Sequence, residues 1–216
     1  MDNGFIMSFS GGKDSTLALY RMIKKGYKPV ALLTTLKKNK GKSWTHGITN
    51  SLLEKVSKSL QIPILKVECD IDEYETEFEK ALIEGKKMGA QICVFGDIDI
   101  EEHKQWDILR CENTGLKAKF PLWQEDRGKL VYEFIDSGFT TIIKTINLKY
   151  LDEKYLGKVL DRSVVKEIEL SGADICGENG EYHTFVINGP LFSQPIEFEN
   201  KGKVLENGYA HLDILL

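Results

Sequence analysis

Short apolar runs alternating with helical periodicities constrain this chain more than any other feature of its sequence. Phe5–Phe9, Pro29–Thr35, Ile62–Val67 and Gln91–Phe95 are brief, rich in branched and aromatic residues, and read as buried strands. Pro63 falls at a strand start, where a missing N–H is tolerated. Between these runs, Thr16–Lys25 reads as a helix closed by Gly26, where a positive φ is needed. Ile48, Leu52, Val56 and Leu60 recur every four residues along one helical face. Tyr74, Phe78 and Leu82 mark a further helix, and His103, Trp106 and Leu109 another. An extended segment at Leu116–Phe120, a helix through Leu130, Phe134 and Ile135, and a strand at Phe139–Ile146 continue the pattern. Such alternation predicts an α/β fold, a parallel sheet with helices on both faces, whose ligands bind beyond the carboxyl ends of the strands.

After Asp161 the character changes. Cys176–Thr184 reads as a polar turn feeding a strand at Phe185–Ile187. Ile196–Phe198 and His211–Leu215 read as later strands, around turn signals at Asn200-Lys201-Gly202 and Glu206-Asn207-Gly208. The expected division is an α/β domain over 1–120 and a smaller C-terminal α+β region over 121–216.

The 216 residues suffice for a substantial core, and a net charge of −4 argues against a nucleic-acid partner. Lys37-Lys38-Asn39-Lys40-Gly41-Lys42 is a basic cluster, read as a solvated loop with a basic patch as the alternative. Cys69, Cys93, Cys111 and Cys176 form no CxxC pair, so neither a metal finger nor a disulfide framework is expected. Met1-Asp2-Asn3-Gly4 lacks the basic start of an export signal, and no apolar run approaches a membrane span. A cytoplasmic protein without a membrane partner is expected.

The first strand ends in Ser10-Gly11-Gly12-Lys13-Asp14-Ser15, directly before a helix. Two glycines let the backbone bend tightly and approach a ligand. The first helical amides and the helix dipole favour an anion there, the dipole part by roughly 0.3–2 kcal/mol. Ser10 and Ser15 add hydroxyls, and Lys13 adds a point charge. The spacing fits neither G-x-x-x-x-G-K-[ST] nor G-x-G-x-x-G. The plain alternative is a turn capped by Asp14 or Ser15.

Ser10–Ser15 resembles the PP-loop of the ATP pyrophosphatases, also called adenine nucleotide alpha hydrolases, which implies a HUP-like fold and ATP cleavage between the α and β phosphates. The remaining motifs resemble the diphthine–ammonia ligase family nearly end to end. They are Val94-Phe95-Gly96-Asp97-Ile98, Arg110-Cys111 with Gly115-Leu116, Pro121-Leu122-Trp123, Phe139, Leu156-Gly157, Leu160-Asp161, Cys176-Gly177-Glu178-Asn179-Gly180-Glu181 and Gly189-Pro190-Leu191-Phe192. The resemblance implies that a substrate carboxylate is adenylated with loss of pyrophosphate, and that ammonia then displaces AMP to give an amide. ATP and Mg²⁺ are the implied cofactors, and ammonia and a protein-borne diphthine or small-molecule carboxylate the partners; a homodimer is left open.

On this resemblance Ser10, Gly11, Gly12, Lys13, Asp14, Ser15, Thr34, His46, Gly96 and Asp97 are expected to bind ATP and its phosphates, with adenine near Leu33, Thr34 and Thr35. Lys13, Asp14, Glu178 and Glu181 are the expected catalytic residues, with Asp14 as a Mg²⁺ ligand. Asn179, Gly180, Tyr182, His183 and Thr184 are the expected substrate contacts. His103 and Trp106 read as helix packing, with the cleft as the alternative.

The late motif departs from the family pattern of Glu-Gly-Gly-Glu, an aromatic, Glu and Thr. Asn179 stands for a glycine and His183 for a glutamate, which removes a negative charge. That form resembles a bacterial subgroup, in hosts lacking diphthamide, for which cobalamin salvage has been suggested from family relationships. The appended domains of longer eukaryotic members have no counterpart here. Three functions are therefore weighed: an ATP-dependent amide ligase, a tRNA-modifying PP-loop enzyme, and a nucleotide-binding sensor without turnover.

Overall fold

The computed structural model describes residues 3–44 and 46–216. Met1 and Asp2, part of the stretch read for an export signal, and Thr45 lie outside them. Five strands, β1 (Gly4–Ser8), β2 (Lys28–Lys37), β3 (Ile64–Cys69), β4 (Ile92–Val94) and β5 (Lys117–Lys119), form a parallel sheet in the order β3-β2-β1-β4-β5. The crossovers carry α1 (Lys13–Lys24), α2 (Asn50–Leu60), α3 (Tyr74–Lys87) and α4 (Glu101–Thr114).

Side-chain alternation along the strands explains the layering. Phe5 and Met7 of β1 join a core with Leu17, Leu19 and Met22 of α1 and Leu52 and Val56 of α2. Ile6, between them, joins the opposite core with Phe78 and Leu82 of α3 and Cys111 of α4. Both faces of the sheet are thus covered, as the alternation of elements predicts. Gly26, at φ +82°, follows α1 as expected.

The second sheet holds β6 (Thr140–Asn147), β7 (Tyr182–Asn188), β8 (Glu199–Glu206) and β9 (Tyr209–Leu215), antiparallel and ordered β7-β6-β9-β8. The strand expected at Phe139–Ile146 therefore does not extend the parallel sheet; it pairs with β7 and β9 instead. Ile196–Phe198 is not a strand, although Ile196 is buried and its amide donates to Ile187 at 2.7 Å. Asn200-Lys201-Gly202 makes no chain reversal either: it lies inside β8, where a register shift skips Lys201 and Gly202 takes φ +110°. The hairpin closes at Asn207-Gly208, both at positive φ, as that dipeptide predicts.

Two more helices, α5 (Arg127–Asp136) and α6 (Arg162–Leu170), accompany this sheet. Phe134, Phe139, Ile142 and Phe185 belong to the same core as α1 and α2, so one apolar interior joins the two sheets.

Candidate functional site

Strand order reverses between β1 and β4, and the turn after β1 faces Gly96–Asp97 after β4 across that crevice. Gly11 takes φ +81°, and a Cβ there would meet Ile48 Cδ1 at 2.7 Å, so glycine is required on both counts. Gly12 occupies the N-cap of α1 without any side-chain cap. Asp14 and Ser15 lie inside the first turn and do not cap it. Ser15 Oγ donates back to Gly12 O at 3.1 Å, and Thr16 Oγ1 does so at 2.8 Å. Ser10 Oγ lies 3.1 Å from Ser15 Oγ and accepts from Gly12 N at 3.3 Å.

Among the described residues, the Asp14 and Ser15 amides have no hydrogen-bond partner. A Cβ on Gly96 would sit 2.8 Å from Ser15 N, so a side chain there would cover the amide that glycine leaves open. Two uncapped amides at the start of a 12-residue helix suit an anion.

The second sheet completes the site. Val186 N donates to Gly11 O at 2.9 Å, Lys13 N donates to Thr184 Oγ1 at 3.0 Å, and His46 Nδ1 lies 2.7 Å from Thr184 O. A carbonyl only accepts, so that contact places the His46 proton on Nδ1. Burial, then His183, brings the His46 pKa down to about 3; burial, then Lys13, brings His183 down to about 4. Both rings are neutral at pH 7, with centroids 5.0 Å apart. The buried Lys13 ammonium bonds Asp14 at 2.8 and 3.0 Å and the Cys176 carbonyl. Burial opposes its charge, but Asp14 foremost raises its pKa above the usual lysine value.

The turn before β7 is shaped by two carboxylates, the buried Glu181 and the half-buried Asp174. Glu181 accepts from Asp174 N at 3.2 Å, Asn179 N at 3.0 Å and Asn179 Nδ2 at 3.2 Å. Asp174 accepts from Cys176 N, Glu178 N and Arg127 at 3.0, 3.1 and 2.6 Å. Arg127 also holds Asp99, after β4, through two 2.7 Å bonds, which ties the two lips of the crevice together. Glu178 is treated differently: its carboxylate accepts no hydrogen bond among the described residues, and it lines the crevice. Burial, then Asp14, pushes its pKa up to about 7.

Two adjoining cavities of about 530 and 270 Å³ share Asp14, Asp97, His103 and Glu178. The larger includes Ser10, Ser15, Gly96, Tyr74, Trp106 and Asp107. Tyr74 and Trp106 are 5.8 Å apart and supply an aromatic wall. Asp107 is pushed up to about 10 by burial and by Asp97, and so is a neutral acid at pH 7. The smaller includes Lys13, His46, Cys176, Gly180, Tyr182, His183 and Thr184.

Most of the residues expected from sequence are thus gathered in one crevice, and His103 and Trp106 line it as well. Thr34 does not: it is buried, and its hydroxyl donates to Phe9 O at 2.6 Å. Glu181 lines neither cavity, and Asn179 is bound up with it and with Arg127. Tyr74, read in sequence only as a helix marker, and Asp107 and Arg127 line or brace the crevice without having been read as site residues. Asp107 lies one helical turn beyond His103, a spacing that carried the signal.

Asp14, Cys176 and Glu178 each offer a ligand atom within 4.8 Å of the others. Burial pushes the Cys176 thiol well above its ordinary pKa, so it stays protonated. The usable donors are carboxylate oxygens, which fits a magnesium ion that keeps waters and phosphate oxygens as its other ligands.

Comparison with known proteins covers nearly the whole chain. The family profile described as diphthamide synthase N-terminal domain matches residues 4–118, and that of the diphthamide synthase C-terminal domain matches 126–214. The diphthine–ammonia ligases of Homo sapiens and Rattus norvegicus are each 27% identical, over 93% of this chain and 85% of theirs. The Schizosaccharomyces pombe diphthine–ammonia ligase is 36% identical over 42% of this chain and 16% of its own length. A crystal structure from Methanocaldococcus jannaschii, described as a predicted subunit of tRNA methyltransferase, superposes with a TM-score of 0.46 at 18% identity, covering 87% of this chain and 97% of that one. Among the described residues, no helix is long and apolar enough to cross a membrane.

Proposed function

The chain belongs to the diphthamide synthase family, and from that premise we propose that it is an ATP-dependent ligase that adenylates a carboxylate, releases pyrophosphate and joins the activated carbonyl to ammonia. The observation that carries this reading is the pair of unpartnered amides of Asp14 and Ser15 at the start of α1, of which the Ser15 amide is left uncovered because Gly96 has no side chain.

In this reading the turn from Ser10 to Ser15 holds the phosphates, the Tyr74–Trp106 wall takes the adenine, and Asp97 and Asp107 lie toward the ribose. Residues 1–120 carry ATP and 121–216 the acceptor. Lys13 exchanges part of its bond to Asp14 for phosphate oxygens and neutralises charge that grows on the departing pyrophosphate. Asp14 would hold a magnesium ion beside those oxygens, and the ion would stabilise the same charge. The carboxylate oxygen attacks the α-phosphorus in line with the leaving pyrophosphate. Ammonium enters through the smaller cavity and gives a proton to Glu178, whose carboxylate has no other partner. The nitrogen then attacks the acyl carbonyl and AMP leaves. Glu181 shapes the turn that presents Glu178.

His183 supports an acceptor other than diphthine as the second reading, because a neutral imidazole lines the acceptor side where diphthine ligases usually carry a carboxylate. Incubation with ATP, magnesium, ammonium and a panel of carboxylates tests the reading, with diphthine-bearing elongation factor among them. One acceptor is expected to support ammonium-dependent amide formation with one AMP per amide, lost in Asp14→Ala. Amide formation accompanied by ADP would refute the adenylation step.

A further inference from the structure

His183 has a second side to its surroundings. Besides the smaller cavity next to Lys13, it lines a separate cavity of about 540 Å³. The charged lining there is Lys37, Lys40, Lys42 and Lys144 against Glu206 and Asp213, four cations to two anions. Lys42 lies 3.7 Å from Asp213, which accounts for one pair. Lys144 is only 4% exposed, yet its ammonium has no hydrogen-bond or ion-pair partner among the described residues.

The backbone is built to put it there. Thr184 and His183 of β7 pair with Ile143 and Thr145 of β6, so the ladder skips Lys144 in a register shift. A bulge of this kind re-aims a side chain. Burial foremost, and then Lys42, lowers the Lys144 pKa to about 8, with Asp213 opposing, so the group is mostly charged at neutral pH. An unpaired buried ammonium is unfavourable in the free protein and becomes favourable when an anion arrives. The volume suits a small molecule. The lysine cluster that reads in sequence as a solvated loop therefore supplies three lining residues, Lys37, Lys40 and Lys42, of a concave site.

We propose that this cavity is an anion site that holds a second carboxylate or phosphate group of the acceptor, while the acceptor's reacting carboxylate extends past His183 toward the phosphate turn. His183 lines both cavities and, as a neutral ring, adds no charge between them, so an acceptor can run past it from one to the other. The anion site stands on the lysine geometry alone; its identification with the acceptor rests on the ligase reading.

Calorimetric titration of citrate, and separately of inorganic phosphate, into the full chain tests the site and tells the two anion sources apart. At least one probe is expected to bind, to weaken tenfold or more in Lys144→Met, and to recover to within about threefold in Lys144→Arg. Lys42→Met, at a half-exposed position, is expected to weaken it severalfold and guards against a folding defect in the first variant. ATP affinity should stay unchanged in Lys144→Met, whereas Asp14→Asn should leave citrate binding intact. Equal binding by wild type and Lys144→Met would overturn the site, as would binding of neither probe, or Lys144-dependent binding of a short RNA alone. If a probe binds through Lys144 but no carboxylate yields AMP, the ligase reading fails and the anion site stands. If AMP forms and Lys144→Met leaves the acceptor KM unchanged, the assignment to the acceptor fails alone.

Discussion

A methyl group at Gly96 would lie 2.8 Å from the Ser15 nitrogen and 3.0 Å from the Asp14 carbonyl carbon, backbone atoms at the start of α1 that cannot swing aside. Gly96→Ala is therefore expected to destabilise the protein by about 1–3 kcal/mol in urea unfolding and to weaken ATP binding at least tenfold. Lys144 carries the opposite sign. Its pKa falls from 10.5 unfolded to about 8 folded, so the unfolded state binds more protons between those values, and stability rises with pH across that window. Below it the native state bears the full penalty of the charge. Lys37, Lys40, Lys42, Glu206, Tyr209, Asp213, His183 and His211 share its cavity, and of these Lys42 disfavours and Asp213 favours the charged form. Lys144→Met is expected to raise stability at pH 7 by about 1–3 kcal/mol while losing the anion, with the gain shrinking as pH approaches 10.5. Wild-type citrate affinity should fall as pH rises through about 8.

The turn before β7 separates two glutamates that look equivalent in sequence. Glu181 accepts three hydrogen bonds from its own turn, so Glu181→Gln is expected to lower stability by about 1–3 kcal/mol, measured by denaturant unfolding. Glu178, whose carboxylate has no hydrogen-bonded partner among the described residues and whose pKa burial and Asp14 push up to about 7, should give a Gln variant with stability raised at pH 7 and above, and a large loss of amide formation. Residue spacing offers no basis for telling them apart, because burial and partners come from Asp174 and Asn179 folding back. The parallel sheet was legible for the opposite reason: strand alternation and helical period are local, and Gly11, Gly12 and Lys13 sit together in the chain. Thr34 shows what spacing leaves out: near the carboxyl end of a strand a hydroxyl can be spent on a neighbour, here Phe9 O. Arg127 was unread because its partners Asp99 and Asp174 lie 28 and 47 residues away.

At the scale of the molecule, the turn from Ser10 to Ser15 is held by both sheets. Thr184 and Val186 of β7 bind Lys13 and Gly11, and the core that packs α1 continues into Phe134 and Phe185. Residues 1–120 expressed alone are therefore expected to lose ATP binding, and calorimetry on that fragment checks it. On this turn ATP is expected to break between its α and β phosphates. A single-turnover reaction with α-labelled ATP, magnesium, ammonium and the acceptor panel, separated by chromatography, tests it most directly. Label appearing in AMP, and only when an acceptor is present, is the result the account predicts. Label appearing in ADP, or ATP bound tightly and left intact with every acceptor, would contradict it.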